Sequence, residues 1–320
     1  MTITTATDTA IYDASERLKS AGLVAFPTET VYGLGADATN ELAVAKVFKA
    51  KGRPSFNPLI IHVPTIKAAE GFAELSDTAR KLCAAFWPGP LTIIVPRKST
   101  SNISHLATAG LDTIAIRCPD HPVALALLTQ CNRPIVAPSA NRSGHVSPTT
   151  AMHVEEDLGD RIEMILDGGP TAIGLESTVI ALTPDPQILR PGSISKLEIE
   201  NVIGPFANTD QPASKVGKII APGQLASHYA PNAAIRLNAI AVKPGEALLA
   251  FGPAAPDHDG PVINLSPDGD LTEAAANLFA SLRELDRSGC PTIAVMTIPQ
   301  TGMGEAINDR LKRAAAPRNT

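Results

Sequence analysis

Aromatic side chains are scarce in this sequence of 320 residues, which contains one Trp, three Tyr and eight Phe. Basic side chains are not in excess either, because 27 Lys and Arg stand against 32 Asp and Glu and give a formal net charge of −5. A protein whose main task is to neutralise nucleic-acid phosphates needs the opposite balance. A surface on which RNA bases stack needs more aromatic rings. The composition therefore disfavours a dedicated RNA-binding protein and leaves room only for a local basic patch.

Cysteines are also few, and none of the four lies in a C-x-x-C pair. The spacing excludes a disulfide framework and a zinc ribbon, so we expect free thiols in a reducing compartment. The amino terminus has neither the basic nor the apolar region of a secretory signal. No apolar run approaches the roughly 18 residues that a membrane helix needs. The sequence thus predicts a cytoplasmic protein without a membrane segment.

Several signatures of catalysis are missing as well. The sequence has no P-loop, no complete G-x-G-x-x-G, no H-E-x-x-H and no G-x-S-x-G elbow. The segment Cys118-Pro119-Asp120-His121 contains metal-ligand types, but no second pair follows it. We therefore predict no metal ligands in this chain and no nucleophilic triad.

What is present is an alternation of short apolar strands with helices that continues to residue 204. The predicted strands 178–182 and 188–190 are separated only by a turn, which is too short for a helical crossover, so this pair should be antiparallel. Residues 1–204 are accordingly predicted to form an α/β domain with an open, twisted, mixed parallel and antiparallel sheet flanked by helices. Hydrophobic content of 44% suffices for its core.

The rest of the chain divides into two parts. Four prolines punctuate residues 205–232, which we interpret as an interdomain linker. Leu271, Ala275, Leu278, Leu282 and Leu285 then fall on one helix face. Together with flanking apolar strands they predict a small, Rossmann-like α/β domain over residues 233–320.

Local signals predict where several helices begin and end. The first helix should cover residues 11–22, and a second should be capped by Asn40 and end near Gly52. Pro122 and Pro148 suit the first turns of two further helices. Ser195, with Glu198 three residues later, forms a capping-box pattern.

Polar clusters follow predicted strands, where open α/β sheets form ligand sites. The loop 27–35 has hydroxyls and flexible backbone N–H groups that suit a small polar or anionic ligand, although this loop taken alone favours an ordinary strand-to-helix turn. Lys51 and Arg53 follow a helix and are held by Gly52 and Pro54, so they suit a polyphosphate, or else are two solvent-exposed cations.

Two further clusters extend this pattern. Ser139 and Asn141 follow a strand, and Ser147 either contributes to an anion or ribose site or simply caps a helix. Arg190 ends a strand directly before Pro-Gly, which is an unusual place for a charge that only aids solubility, and it is a candidate phosphate ligand. Many of the 28 prolines lie beside these groups, where their fixed φ limits loop freedom.

Taken in order, the strings FPTETVYGLG, KGRPSFNPLI, WPGPLT, GLDTIAIR, APSANRSG, DGG, ESTVI and LRPG closely resemble the threonylcarbamoyl-AMP synthase family with its YrdC-like domain. The resemblance is dense from about residue 20 to residue 204. The later strings APG and HYAP resemble the linker of the family's long, two-domain form.

The resemblance implies an L-threonylcarbamoyladenylate synthase. Such an enzyme, a nucleotidyltransferase, uses L-threonine, bicarbonate and the substrate ATP, with Mg²⁺, to make threonylcarbamoyl-AMP and diphosphate. A downstream tRNA threonylcarbamoyl transferase complex then modifies adenosine 37 of tRNA, and a weak tRNA contact is conceivable. The chemistry needs positioning and charge neutralisation rather than a protein nucleophile, in keeping with the absence of a triad.

The same resemblance implies roles for individual residues. Lys51 and Arg53 would be catalytic and hold triphosphate and carbamate oxygens, and Ser139 and Asn141 would fix the adenylate side. The other expected ATP contacts are Asn57, Ser147, Arg190 and Tyr229. The expected threonine contacts are Thr28, Tyr32, His62, Thr113, Arg117 and Ser177.

Two alternatives stay open at this point. One is an RNA-binding, translation-associated YrdC-like protein without synthetic activity. The other is a carbamoyl-adenylate-forming enzyme of the hydrogenase-maturation type, although no acylphosphatase or zinc-finger module is visible. For the leading interpretation we expect Lys51→Ala or Arg53→Ala to abolish activity with little change in thermal midpoint, because exposed charges contribute little to stability.

Overall fold

The computed structural model describes residues 2–54, 56–206, 228–256 and 258–317. Its strands are β1 (Thr2–Thr5), β2 (Val24–Phe26), β3 (Gly33–Asp37), β4 (Ile60–His62), β5 (Leu91–Pro96), β6 (Thr113–Arg117), β7 (Ile135–Val136), β8 (Met164–Asp167), β9 (Thr178–Ala181), β10 (Gln187–Arg190), β11 (Ala234–Arg236), β12 (Glu246–Ala250), β13 (Val262–Asn264) and β14 (Thr292–Val295). Its helices are α1 (Asp8–Lys19), α2 (Glu41–Lys51), α3 (Ile66–Ala69), α4 (Asp77–Phe86), α5 (Pro122–Cys131), α6 (Ala151–Leu158), α7 (Lys196–Ile203), α8 (Leu271–Arg287) and α9 (Met303–Ala315).

The larger sheet has ten strands in the order β1-β8-β2-β3-β7-β4-β6-β5-β9-β10. It is mixed: β4 and β6 run parallel, whereas β5 and β6 are antiparallel. β9 and β10 form the antiparallel pair that the short turn between them predicts. The predicted α/β class with a mixed sheet is therefore confirmed.

The smaller sheet has the order β11-β14-β12-β13, and its strands pair in parallel. Helix α8 covers it with the apolar face predicted from the leucine spacing, since Leu278, Leu282 and Leu285 are buried. These parallel strands and helices agree with a Rossmann-like unit. The domain limits at residues 204 and 233 stay a prediction, because most of the proposed linker, including residues 221–223, lies outside the described residues.

Cap signals in the sequence predicted several helix ends. The Asn40 side chain accepts from two backbone N–H groups at the start of α2, and Gly52 ends it with φ of 61°. Ser195 and Glu198 form the expected capping box of α7. The helix predicted from Pro148 begins later, at Ala151, because Thr150 is the residue whose hydroxyl caps it. The capping role considered for Ser147 is therefore wrong.

Three strands, β1, β3 and β13, were not predicted. β3 begins within the polar segment 27–35, which we interpreted as a loop, and it pairs with β2 and β7. Two of its residues are glycines, and a Cβ on Gly35 would lie 2.9 Å from the Phe26 ring. The strand needs glycine at this close approach, and that same glycine conceals it in a propensity-based prediction.

Each of the four cysteines is a free thiol. Burial raises the pKa of Cys83 and of Cys118 to about 12, and that of Cys131 to about 11. Cys290 is only partly buried. Among the described helices, none has the length and apolarity needed to cross a membrane.

Candidate active site

A cavity opens where several strands of the larger sheet end. His62 and Arg117 are paired residues at the carboxyl ends of the parallel strands β4 and β6, and Arg190 ends β10. The cavity is lined by Val31, Arg53, Ile60, His62, Arg117, Ala137, Pro138, Ser139, Glu176, Ser177, Arg190, His228 and Tyr229. Topology thus brings together polar segments that are far apart in the sequence, at the edge where open α/β sheets bind ligands.

Lys51 lies behind this cavity rather than in it. It is the last residue of α2 and is 3% exposed, and its Nζ donates hydrogen bonds to the main-chain carbonyls of Ser139 and Asn141. Burial, followed by the nearby Arg53 cation, holds the pKa of Lys51 well below its usual value. The solvent-exposed alternative is therefore wrong for Lys51. The expectation that its removal hardly changes the thermal midpoint assumed an exposed charge, and that assumption does not hold for Lys51.

Arg53 reaches the cavity from the loop after α2. Its Nη2 donates to the Pro58 carbonyl at 3.0 Å, and Nε donates to the Asn57 carbonyl at 3.3 Å. Burial lowers the pKa of Arg53 to about 10, so it stays a cation at neutral pH. Asn57 is fully buried, and neither atom of its side-chain amide has a hydrogen-bond partner within the described parts of the chain.

After β7, Ser139 lines the cavity, whereas Asn141 is buried and is not among the lining residues. Asn141 Nδ2 donates to the carbonyls of Arg142 and His145, at 2.9 and 2.7 Å. Its Oδ1 is buried and accepts no hydrogen bond from any described residue. The amide is therefore fixed through its nitrogen, which leaves the oxygen to accept from a ligand.

Arg190, Ser177 and Tyr229 form another part of the cavity lining. Arg190 donates through Nε to the Ser177 carbonyl at 3.0 Å and through Nη2 to the Ser177 hydroxyl at 3.1 Å. It also hydrogen-bonds the Tyr229 side chain, and burial lowers its pKa. The Ser177 hydroxyl pairs with Thr92 Oγ1 at 2.7 Å. These contacts fix the position of the Arg190 guanidinium relative to the Ser177 hydroxyl.

Ser147 lies beside the cavity and donates to Glu176. The other carboxylate oxygen of Glu176 is 2.8 Å from Nε of Arg310, which belongs to α9. Burial alone would raise the pKa of Glu176, but Arg310 and Arg190 lower it below its ordinary value. Glu176 is thus an anion within the wall.

His62 and Arg117 occupy the end of the cavity near β4 and β6. Burial, followed by the Arg117 cation, lowers the pKa of His62 to about 3, so the imidazole is neutral at physiological pH. Arg117 Nη2 lies 2.7 Å from Glu29 Oε1, an ion pair whose angles fall outside hydrogen-bond geometry. Arg117 Nη1 donates to the Thr30 hydroxyl at 2.8 Å.

Three predicted threonine contacts do not line the cavity. The Thr28 hydroxyl donates to the Val31 carbonyl at 2.7 Å and stabilises a turn. The Tyr32 hydroxyl donates to the Gly169 carbonyl at 2.7 Å. Thr113 begins β6, four residues and about 13 Å from Arg117 at the other end of that strand. Their positions give no support to the predicted contacts.

Four residues of this region were given no role in the sequence analysis: Glu29, Glu176, His228 and Arg310. The first three lie inside the quoted strings, so those strings contained a signal for them. The ring of His228 packs edge-on against that of Tyr229 at 4.1 Å, and burial among cations lowers its pKa. Arg310 is 134 residues from Glu176, and nothing local in the sequence connects the two.

Basic side chains outnumber acidic ones among the residues that line the cavity. Arg53, Arg117 and Arg190 line it, whereas its carboxylate, Glu176, is already paired with Arg310. Within the described residues, no group of three or more His, Cys, Asp or Glu could hold a metal ion. Guanidinium groups with hydroxyls at strand ends are typical of α/β proteins that bind anionic ligands.

Comparisons with known proteins agree with this class and narrow it. Residues 16–192 match the family model Sua5_yciO_yrdC, described as "Telomere recombination". Residues 194–316 match the model described as "Threonylcarbamoyl-AMP synthase, C-terminal domain". The chain belongs to the Sua5-type threonylcarbamoyl-AMP synthase family, as the motif resemblance implied.

Relatives cover this chain to different extents. The Bacillus subtilis protein named "Threonylcarbamoyl-AMP synthase" is 42% identical, over 97% of this chain and 94% of its own length. The crystal structure of Pyrococcus abyssi Sua5 complexed with L-threonine matches with a TM-score of 0.89 and 41% identity, covering 97% of this chain and 95% of that one. A "Putative threonylcarbamoyl-AMP synthase" of Mycobacterium tuberculosis is 39% identical, over 61% of this chain but 89% of its own length.

Proposed function

We propose that this protein is an L-threonylcarbamoyladenylate synthase. The threonine amine and bicarbonate form a carbamate with loss of water, and a carbamate oxygen attacks the α-phosphorus of ATP. The bond between the α-phosphorus and its bridging oxygen breaks, and diphosphate leaves. The observation that carries this proposal is the convergence of Arg53, Arg117 and Arg190 on one cavity, in a chain that resembles a threonine-bound synthase over nearly its whole length.

The nucleotide is expected on the side of Arg53, Ser139 and Arg190. A buried guanidinium is a strong partner for phosphate oxygens because it presents several donors in a fixed plane. The two arginines are held in place before ATP arrives, Arg53 by main-chain carbonyls and Arg190 by Ser177. They would stabilise the charge that develops on the leaving diphosphate without reorganising.

The remaining predicted ATP contacts fit this side in different ways. Asn141 Oδ1 and the Asn57 amide are buried polar groups that a nucleotide could satisfy. Tyr229 hydrogen-bonds Arg190 and closes the wall. Lys51 acts indirectly in this arrangement, because its hydrogen bonds fix the carbonyls of Ser139 and Asn141.

Threonine is expected at the end formed by His62, Arg117 and Ser177. Arg117 would bind the threonine carboxylate, and the neutral imidazole of His62 can hydrogen-bond without adding charge. The apolar side chains of Val31 and Ile60 line the same cavity and can contact the threonine methyl group. Exclusion of water from this end of the cavity would protect the labile product from hydrolysis.

Mg²⁺ enters the proposal only as an ion carried by the triphosphate. Mg²⁺ bound with nucleotides is commonly held by phosphate oxygens, water and one or two carboxylates. Glu176 is the carboxylate that lines the cavity, and Arg310 and Ser147 already occupy its oxygens. The metal would thus neutralise phosphate charge while the arginines orient the nucleotide.

The later fate of the product belongs to the same proposal. A downstream tRNA threonylcarbamoyl transferase complex would take the adenylate to adenosine 37 of tRNA, and the four free thiols suit a cytoplasmic setting. No specific observation favours the RNA-binding alternative or the hydrogenase-maturation alternative. The match of residues 194–316 to the synthase C-terminal domain favours the long synthase form over the hydrogenase-maturation type.

Purified protein incubated with L-threonine, bicarbonate, Mg²⁺ and ATP labelled in the γ-phosphate tests the proposal. We expect diphosphate release that requires both threonine and bicarbonate, and threonylcarbamoyl-AMP in the product mixture by mass spectrometry. Arg53→Gln should abolish the release. Arg80→Gln, which changes an exposed ion pair with Glu70, is the matched control and should retain it. Wild-type protein that releases no threonine-dependent diphosphate would overturn the proposal.

A further inference from the structure

Arg310, on the last helix α9, is a fully buried arginine in contact with the cavity wall. Its Nε lies 2.8 Å from Glu176 Oε2, and Nη2 donates to the main-chain carbonyl of Glu176 at 3.3 Å. Nη1 donates to the main-chain carbonyl of Pro191 at 3.0 Å. The Arg310 side chain, from the last described helix, therefore bonds two separate segments of the larger α/β unit. One segment precedes β9 and the other follows β10.

Those two segments carry functional groups of the proposed site. Glu176 precedes Ser177, and Pro191 follows Arg190. Arg190 in turn donates both to the carbonyl and to the hydroxyl of Ser177. Arg310 thus connects the two segments on one side, and the contacts between Arg190 and Ser177 connect them on the other. Substitution of Arg310 would alter the distance between these segments, which position the Arg190 guanidinium.

Other contacts hold Arg310 itself in place. Asp309 Oδ2 is 2.8 Å from Arg310 Nη1, and Asp309 also pairs with Arg313 one turn later. The Arg310 guanidinium carbon lies 5.3 Å from the centre of the Tyr229 ring, within the range of a cation–π contact. The Arg310 guanidinium is therefore oriented by Asp309 of its own helix and by the aromatic ring of Tyr229, which lines the cavity.

The loop before Ser177 is held from a second direction as well. A Cβ on Gly174 would lie 2.5 Å from the Ala276 carbonyl oxygen of α8, so the two backbones are in direct contact. Leu175 packs in one cluster with Tyr229 and Phe279. Residues 174–176 are consequently fixed by α8 on one side and by Arg310 of α9 on the other.

Short relatives make this arrangement informative. The Mycobacterium tuberculosis relative matches only 61% of this chain with 89% of its own length, so little of that relative is left to correspond to the rest of this chain. In the present chain that unit places a charged side chain against the site. The carboxyl-terminal unit therefore contacts residues next to the proposed nucleotide site directly.

We infer that Arg310 is a positioning residue of the nucleotide site, which acts by fixing Glu176 and Pro191 and through them Arg190. The inference rests on the proposed function, since it assigns Arg190 to ATP. Removing the guanidinium would leave the buried Glu176 carboxylate with Ser147 but without its cationic partner, and would release the Pro191 carbonyl. ATP affinity should suffer more than threonine affinity.

Steady-state kinetics of Arg310→Gln and Arg310→Lys in the full-length chain test this inference. We expect KM for ATP to rise at least tenfold in Arg310→Gln, with a smaller change in KM for threonine. Arg310→Lys should be intermediate, because an ammonium supplies charge but cannot reach both segments at once. Arg287→Gln removes an exposed ion pair with Glu156 elsewhere between the two units, and it should match wild type.

Calorimetry with a non-hydrolysable ATP analogue gives a readout independent of turnover. Weaker analogue binding by folded Arg310→Gln supports the inference, and binding within twofold of wild type overturns it. If Arg310→Gln is not recovered folded, the same criterion applies to Arg310→Lys. A purely structural role would lower the thermal midpoint of the variants without changing KM for ATP. Wild-type protein inactive with threonine would instead overturn the proposed function.

Discussion

Arg117 and Glu29 form a buried ion pair at the threonine end of the cavity, with 2.7 Å between Nη2 and Oε1 and less than a tenth of either side chain exposed. Neither Glu29 oxygen accepts a hydrogen bond from another described residue. The carboxylate therefore depends on the arginine for compensation. A buried charge left without its partner is strongly destabilising.

Arg117→Gln should lower the free energy of unfolding by about 3–5 kcal/mol and abolish threonine-dependent turnover. The double variant Arg117→Gln/Glu29→Gln removes both charges and should recover much of the stability but none of the threonine use. Urea denaturation and steady-state kinetics measure the two effects. If Arg117→Gln alone is as stable as wild type, the ion pair contributes little to the free energy of unfolding.

Lys51→Ala should reduce both activity and stability. It leaves the Ser139 and Asn141 carbonyls without their buried donor, at a cost of about 1–3 kcal/mol for each group left unsatisfied. Lys49→Ala changes an exposed lysine on the same helix and is the matched control. Equal thermal midpoints for the two variants would show that the carbonyls find other partners.

Stability should depend on pH through His62. Its pKa is about 3 in the folded protein, against an ordinary value of 6.5 in the unfolded chain. Between these values the unfolded chain binds a proton that the folded protein does not, so stability is complete above pH 6.5 and falls as the pH decreases. The loss is about 1.4 kcal/mol per pH unit.

Urea denaturation at pH 7 and at pH 5 measures this dependence. The loss between the two pH values should be about 2 kcal/mol larger in wild type than in His62→Gln. His105→Gln, at an exposed position, is the matched control for the substitution. An unchanged dependence in His62→Gln would mean that the buried imidazole does not control this loss.

Gly174→Ala should separate the loop 174–176 from α8. The added Cβ would meet the Ala276 backbone at 2.5 Å, in addition to the strain of a φ of 75°. Gly245→Ala has a comparable φ of 83° but meets nothing within 4 Å, so it isolates the conformational cost of about 1–2 kcal/mol. Only Gly174→Ala is expected to raise KM for ATP, as steady-state kinetics would show.

Much of the fold follows from local sequence signals. Helix α2 was predicted at both ends because Asn40 and Gly52 are direct cap signals, and the β9–β10 pair follows from the length of one turn. β3 was missed because its glycines serve close packing, which propensity does not register. Ser147 was considered as a helix cap, whereas its hydroxyl is bonded to Glu176 across 29 residues.

The candidate site was predictable to the extent that its residues follow strands or occur in the quoted strings. Arg53, Ser139, Ser177 and Arg190 do so, and they line one cavity. Burial could not be predicted from the position of Lys51, since an ammonium in the last turn of a helix is usually solvated. Arg310 depends on a tertiary contact between distant parts of the chain, for which no local pattern exists.

The unequal burial of the four cysteines makes the protein suitable for spectroscopic labelling. Three of the thiols are buried with strongly raised pKa values, so almost none of their thiolate form exists at neutral pH, and thiolate is the form that reacts with maleimides. Cys290, which is partly exposed in the loop between α8 and β14, should therefore accept a fluorophore first without any cysteine being removed. A dye at this position would report how the carboxyl-terminal unit responds when nucleotide is added to the native chain.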